Sequence, residues 1–178
     1  MTEQLTVEAA VQAPAVQVYR VYIKATPQAI WEAITQPEWS AKYGYGGLVD
    51  YDLRAGGQAI VNANEGMKQY GTPDVIIDGE VLECDPPRKL VQTWRMLMDE
   101  DMAAEGFTTL TYEIDPMGAT QGWQNEGVTR LTVTHDLTNA PALASMVAGA
   151  HEESGAGGGW NEVLSGLKTL LETGSALA

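Results

Sequence analysis

Cysteine, basic charge and long apolar runs are all scarce in this chain, and each shortage removes a class of protein. The single cysteine, Cys84, excludes an internal disulfide, and no second thiol or histidine sits near it at metal-ligand spacing. A reducing cytoplasm is the expected compartment. Ten Lys and Arg against 24 Asp and Glu give a net charge of −14, which repels nucleic-acid phosphates and anionic lipid headgroups. Neither partner is expected. No segment approaches the roughly 18 consecutive apolar residues of a membrane span, so membrane insertion is not expected either. The Ala-rich start, Ala9 to Val16, lacks a basic n-region and a long apolar stretch. It reads as part of an N-terminal extension, residues 1–15, rather than as a secretory signal.

Reactive motifs are equally scarce. There is no Gly-x-Ser-x-Gly elbow, phosphate loop or dinucleotide fingerprint, and the glycines at 155–159 lack the Lys-Ser/Thr of a phosphate loop. No cofactor and no metal are expected. Acidic surroundings push the Cys84 thiol away from the reactive thiolate. His151, beside Glu152 and Glu153, lacks the further ligands that a metal site requires. Runs such as Asp99-Glu100-Asp101 read as solvated loop surface.

What the chain does have is a closing helix. Trp160, Val163, Leu164, Leu167, Leu170 and Leu171 recur at the spacing of one helical face, directly after the glycine-rich hinge Gly155–Gly159. Such a stripe must be buried against something. Most of the chain before it alternates in the manner of strands, so the partner is a sheet, and one helix on a curved sheet leaves room for a cavity. A length of 178 residues suits one core, placed at residues 16–174.

The first strand is Val16 to Ile23, and its two faces are too alike to decide which is buried. Thr26 as a cap, Pro27 at the first helical position and the stripe Ile30, Trp31, Ile34 predict a helix that Pro37 ends. A second short helix follows from Pro37. Strands are then predicted at Leu48–Leu53, Gln58–Asn64, Val75–Cys84, Leu90–Met98, Thr108–Ile114 and Val128–Leu137, with a Pro86-Pro87 turn and a polar loop at 118–127. In the last strand Leu131, Val133 and His135 share one face. Pro141 to Ala150 carries a short amphipathic helix before the hinge. The fold class is therefore α+β, with antiparallel pairing.

Three segments carry a family resemblance: Asp78-Gly-Glu-Val-Leu-Glu-Cys-Asp-Pro-Pro-Arg-Lys-Leu-Val-Gln-Thr-Trp94, the strand Thr129 to His135, and the closing Gly158 to Leu171. Together they resemble the SRPBCC (START / polyketide cyclase-like) superfamily, in the branch named for homology to the heat-shock-protein ATPase activator. The likeness runs from about Val16 to Thr173. It implies a helix-grip fold, with a seven-stranded antiparallel sheet wrapped around the C-terminal helix and enclosing a hydrophobic pocket. Members include carriers, receptors, cyclases and proteins of no known activity, so the fold alone selects no function.

The pocket candidates are Trp31, Tyr43, Tyr45, Trp94, Met96, Tyr112, His135, Met146, Trp160 and Leu164, with Met98 beside them. Aromatic rings supply area and a polar handle, and methionines adapt to irregular shapes. Taken singly, each reads first as core, and it is the set together with the resemblance that points to a cavity. The leading expectation is non-enzymatic binding of a small hydrophobic or aromatic ligand, with the hinge and the segment before it gating entry. A cyclase- or hydrolase-like alternative uses His135 as acid or base with Glu80. It requires the two to converge in one cavity. A third reading, a chaperone-assisting interaction module, requires an exposed apolar patch on the outer sheet. Homodimerisation is left open. Arg95, Glu80 and Glu83 are read as surface groups in cross-strand pairs, and Gly44, Gly46 and Gly47 around Tyr45 as a turn at the pocket entrance.

Overall fold

The computed structural model describes residues 13–118 and 126–177. Most of the N-terminal extension, and the centre of the polar loop at 118–127, lie outside the described residues. Strand β1 (Val16–Ile23) leads through α1 (Pro27–Thr35) and α2 (Pro37–Ser40) to β2 (Leu48–Tyr51) and β3 (Ala59–Asn62). After α3 (Glu65–Gln69) come β4 (Val75–Asp78), β5 (Val81–Asp85) and β6 (Lys89–Met96). Helix α4 (Glu100–Ala104) then precedes β7 (Thr108–Pro116) and β8 (Thr129–Asp136). The chain closes with α5 (Pro141–Val147) and α6 (Gly159–Thr173).

All pairings are antiparallel, in the order β1-β8-β7-β6-β4-β3-β2, with β5 paired to β6 beside β4. Among the described residues the sheet thus has eight strands where seven were expected. The extra one arises because the predicted Val75–Cys84 strand is broken at Gly79-Glu80, and its two halves pair with opposite ends of β6. The break has a local cause. A Cβ at Gly79 would lie 2.0 Å from the Thr93 carbonyl oxygen, and the Thr93 hydroxyl accepts the Glu80 N–H at 2.8 Å. The neighbouring backbone passes too close for a regular ladder there.

Thr26 caps α1 by accepting the Ala29 N–H at 3.1 Å, and Pro27 opens the helix. Asn64 and Asp99 do the same for α3 and α4, two one-turn helices where the sequence reads as loop. The acidic run at 99–101 is thus a cap and the first turn of a helix, although it remains exposed. The Pro86-Pro87 peptide at the β5–β6 turn is cis.

The concave face of the sheet receives α6. Trp160, Leu164, Leu167 and Leu170 are buried, each contributing about 1.5–3 kcal/mol by leaving water. The Lys168 ammonium anchors the far end by donating to the Tyr22 carbonyl at 2.7 Å. The undecided face of β1 resolves through Gln17. Its buried amide donates to the Ala144 carbonyl at 2.8 Å, so Gln17, Tyr19, Val21 and Ile23 point inward. On the outer face Arg95 grips Asp78 through two hydrogen bonds, at 3.0 and 2.6 Å, and Lys89 pairs with Glu83 at 2.9 Å. Half-exposed pairs of this kind add about 1 kcal/mol or less.

Candidate functional site

A cavity of about 330 Å³ opens between the concave sheet and the N-terminal end of α6. Its floor is Trp94 and Met96 of β6 with Tyr112 of β7, which belong to the inward faces of their strands. One wall is Trp160 and Val163 of α6 with Met146 and Val147 of α5. The opposite wall is Val49 and Tyr51 of β2, Val61 of β3, and Ile76 and Ile77 of β4. Tyr45, Met98 and Ala156 line the cavity and are also exposed, so they mark its mouth. Among the described residues that line it there is no Asp, Glu, Lys, Arg or His.

Seven of the ten candidates therefore meet at this cavity: Tyr43, Tyr45, Trp94, Met96, Tyr112, Met146 and Trp160. Trp31, His135 and Leu164 do not line it and belong to the core. Trp31 sits on α1 in the main hydrophobic cluster, and Leu164 lies deeper along α6 than Val163. Glycines 44, 46 and 47 do line the cavity beside Tyr43 and Tyr45.

Val49, Tyr51, Val61, Met67, Ile76 and Ile77 are lining residues that the aromatic inventory passed over. For Tyr51 a signal existed. It shares one face of a short alternating strand with Val49, while Asp50 is exposed. Met67 depended on recognising Asn64 as the cap of α3.

His135 is fully buried, and its bonds can be assigned atom by atom. The Trp160 indole N–H donates to Nδ1 at 3.2 Å. An indole nitrogen only donates, so Nδ1 is unprotonated and the ring hydrogen sits on Nε2. Nε2 lies 2.8 Å from the Thr108 hydroxyl, which itself donates to the Trp94 carbonyl at 2.8 Å. Trp94 and Trp160 both meet the imidazole edge to face, with centroids 5.1 and 6.1 Å away. Burial pushes its pKa down to about 4. His135 is thus a neutral clasp between α6 and the sheet. Glu80 is exposed at the strand break and does not line the cavity.

The tyrosines stay neutral, because burial raises the phenols of Tyr43, Tyr51 and Tyr112 well above their ordinary range. Tyr43 donates to the Ala33 carbonyl at 3.0 Å, and Tyr51 to the Gln92 side-chain oxygen at 2.8 Å. At the mouth the Tyr45 hydroxyl donates to Glu162 at 3.1 Å and accepts the Gly159 N–H at 3.1 Å. The Glu162 carboxylate also accepts the Gly158 N–H at 2.6 Å. The entrance turn and the glycine hinge are therefore latched together. Cys84 is half-buried on β5, with its thiol pushed up by burial and by Asp85. His151 meets Ser145 at 3.0 Å on the surface. Among the described residues no three His, Cys, Asp or Glu side chains gather as a metal site.

The fold and cavity define a helix-grip protein of the SRPBCC superfamily, with an internal apolar chamber under its last helix. The family model described as "Activator of Hsp90 ATPase homolog 1-like protein" matches residues 24–172. The chain belongs to that family. No curated protein sequence matches it. Among solved structures it is similar to CalU16 from Micromonospora echinospora, with a TM-score of 0.59 and 19% identity over 87% of this chain and 73% of that one. An HSP90 activator from Plasmodium falciparum gives 0.57 and 22% over 88% and 95%. The Aha1 dimer from Colwellia psychrerythraea gives 0.57 and 19% over 89% and 97%. At these identities the likeness is one of fold.

Proposed function

We propose that this protein is a container for a small, uncharged, largely apolar molecule, held between the sheet and α6. The observation that carries the reading is the cavity itself. At about 330 Å³ it reaches the size of ligand sites, which begin near 300 Å³, and its walls are aromatic, aliphatic and methionine side chains. An ionised ligand group would lose its hydration there with no countercharge among the lining residues. The net charge of −14 disfavours anionic ligands further.

Neither rival gains comparable support. An acid–base reaction at His135 would need a ring nitrogen free to exchange a proton with substrate, and both nitrogens are engaged within the core. An interaction module would need a continuous outer apolar patch, but exposed Val16 and Val18 lie on β1 and Leu82 on β5, with β8, β7 and β6 between them. Among the described residues no helix is long and apolar enough to cross a membrane. We place the container in the cytoplasm on its cysteine usage, with dimerisation a further possibility.

Native mass spectrometry of protein purified from its own host tests the reading through a co-purifying small molecule. In a second test, Met146→Trp fills the cavity from its α5 wall. It is expected to weaken binding of the neutral probe N-phenyl-1-naphthylamine by about tenfold or more, since overfilling costs on the order of 1–3 kcal/mol. Equal probe affinity in the two proteins, with no co-purified molecule, would sink the container. Entry through the latch has its own expectation. Tyr45→Phe removes the hydroxyl that joins Gly159 and Glu162, and should speed probe dissociation several-fold in stopped-flow fluorescence. An unchanged off-rate would place the entrance elsewhere.

A further inference from the structure

The chamber is apolar but not uniformly satisfied, and the imbalance has a direction. Tyr43 and Tyr51 both spend their hydrogens on protein oxygens, and the Ser40 hydroxyl bonds the backbone on both sides, to Val49 N–H at 3.2 Å and the Pro37 carbonyl at 3.5 Å. Tyr112 differs. Its hydroxyl has no hydrogen-bond partner among the described residues, although the side chain lies on the inner face of β7 between Leu110 and Ile114. Those two neighbours are 0% and 1% exposed, whereas Tyr112 is only half-buried, because its surface opens into the cavity. The ring is held edge to face by Trp160, with centroids 6.2 Å apart. The Trp94 indole N–H, on the same floor, also has no acceptor among the described residues.

A donor on the cavity wall with no protein acceptor rewards any ligand that supplies one and shields the bond from water. We infer that the ligand carries a neutral hydrogen-bond acceptor, a carbonyl or ether oxygen on an apolar ring system, and that Tyr112 receives it. This rests on the container reading and narrows it to a chemical class. The phenol is suited to the task, because burial, reinforced by the nearby Tyr51 and Tyr43 phenols, keeps it protonated, and so a donor. Trp94, on the same lining, offers only an indole N–H donor, so an acceptor oxygen with two lone pairs suits this floor.

The test compares two rigid tricycles of nearly one shape, 9-fluorenone and fluorene, which differ by a carbonyl oxygen. Equilibrium dialysis against the wild-type protein and Tyr112→Phe measures all four affinities. Wild type is expected to bind fluorenone about 5- to 30-fold more tightly than fluorene, the range of one buried hydrogen bond made or left unmade. In Tyr112→Phe that ratio should fall toward one through loss of fluorenone affinity alone, with fluorene unchanged as the control for folding. Should both compounds bind wild type equally, the acceptor inference is overturned and the container stands. If neither binds, the container reading falls and takes this one with it. The wild-type ratio decides even if the variant does not fold.

Discussion

Gly159→Ala is expected to lower the melting temperature by on the order of 10 °C. Gly159 begins α6 with φ at +63°, a conformation that costs a side-chain-bearing residue about 1 kcal/mol or more. Space is the larger difficulty. A Cβ there would lie 2.1 Å from the Val147 carbonyl oxygen and 2.8 Å from the Gly149 nitrogen, both rigid backbone at the end of α5. The methyl group fits only if the two helices separate, and the first turn of α6 carries Trp160, which closes the cavity and holds His135. A cost of roughly 3–5 kcal/mol is a large part of the 5–15 kcal/mol that stabilises a typical domain. Thermal unfolding followed by circular dichroism checks it, and a shift below about 2 °C would mean that the α5–α6 junction adapts freely. Probe binding should fall in the same variant, because the junction forms part of the cavity wall.

Acidification provides the second large effect, through His135. In the folded protein its pKa is pushed from 6.5 down to about 4, chiefly by burial, so between those values the unfolded chain binds a proton that the folded one refuses. Stability is therefore fully present above pH 6.5, falls as the pH drops through this window, and levels off below 4. A displacement of this size corresponds to about 3 kcal/mol at 1.36 kcal/mol per pH unit. Protonation would also place a hydrogen on Nδ1, facing the Trp160 N–H that now donates to it. Asp136, held below its usual range by bonds from Thr138, and Glu172, held down by Lys168, act in the same direction at lower pH. The informative quantity is thus a difference. Urea unfolding of wild type and His135→Gln from pH 7 to 4 should give wild type the steeper loss, by about 3 kcal/mol. Parallel curves would show that the imidazole titrates alike in both states. At pH 7 the variant itself is less stable, because Trp160 and Thr108 lose a shaped partner.

Much of the architecture could be read before any coordinates, since it rests on local chemistry. The cap at Thr26, the proline at position 27 and the alternation of Val16–Ile23 each act within a few residues. The Leu131, Val133, His135 face was legible for the same reason, and all three are buried. The reading was weakest where local signals are short or symmetric. One-turn helices such as Glu65–Gln69 and Glu100–Ala104 carry no apolar period, and β1 has apolar groups on both faces, so long-range packing decides its orientation, with Ile23 in the core and Gln17 bonded to Ala144. The break at Gly79 depends on Thr93, which approaches from the neighbouring strand.

The cavity shows the same division. Composition and period alone called for burial of the stripe from Trp160 to Leu171, made aromatic and methionine side chains candidates for its surroundings, and gave a net charge of −14 that repels polyanions. These follow from hydrophobicity and net charge, which need no coordinates. Tertiary structure decided which of those side chains bound the empty space and which fill it. Trp94 and Tyr112 line the chamber, whereas Trp31, Leu164 and His135 are enclosed by core, because sheet curvature and the seat of α6 depend on contacts between residues far apart in sequence. Only in the folded chain did His135 become a neutral clasp with both nitrogens engaged, and the Tyr112 side chain part of the cavity lining, its hydroxyl without a hydrogen-bond partner among the described residues.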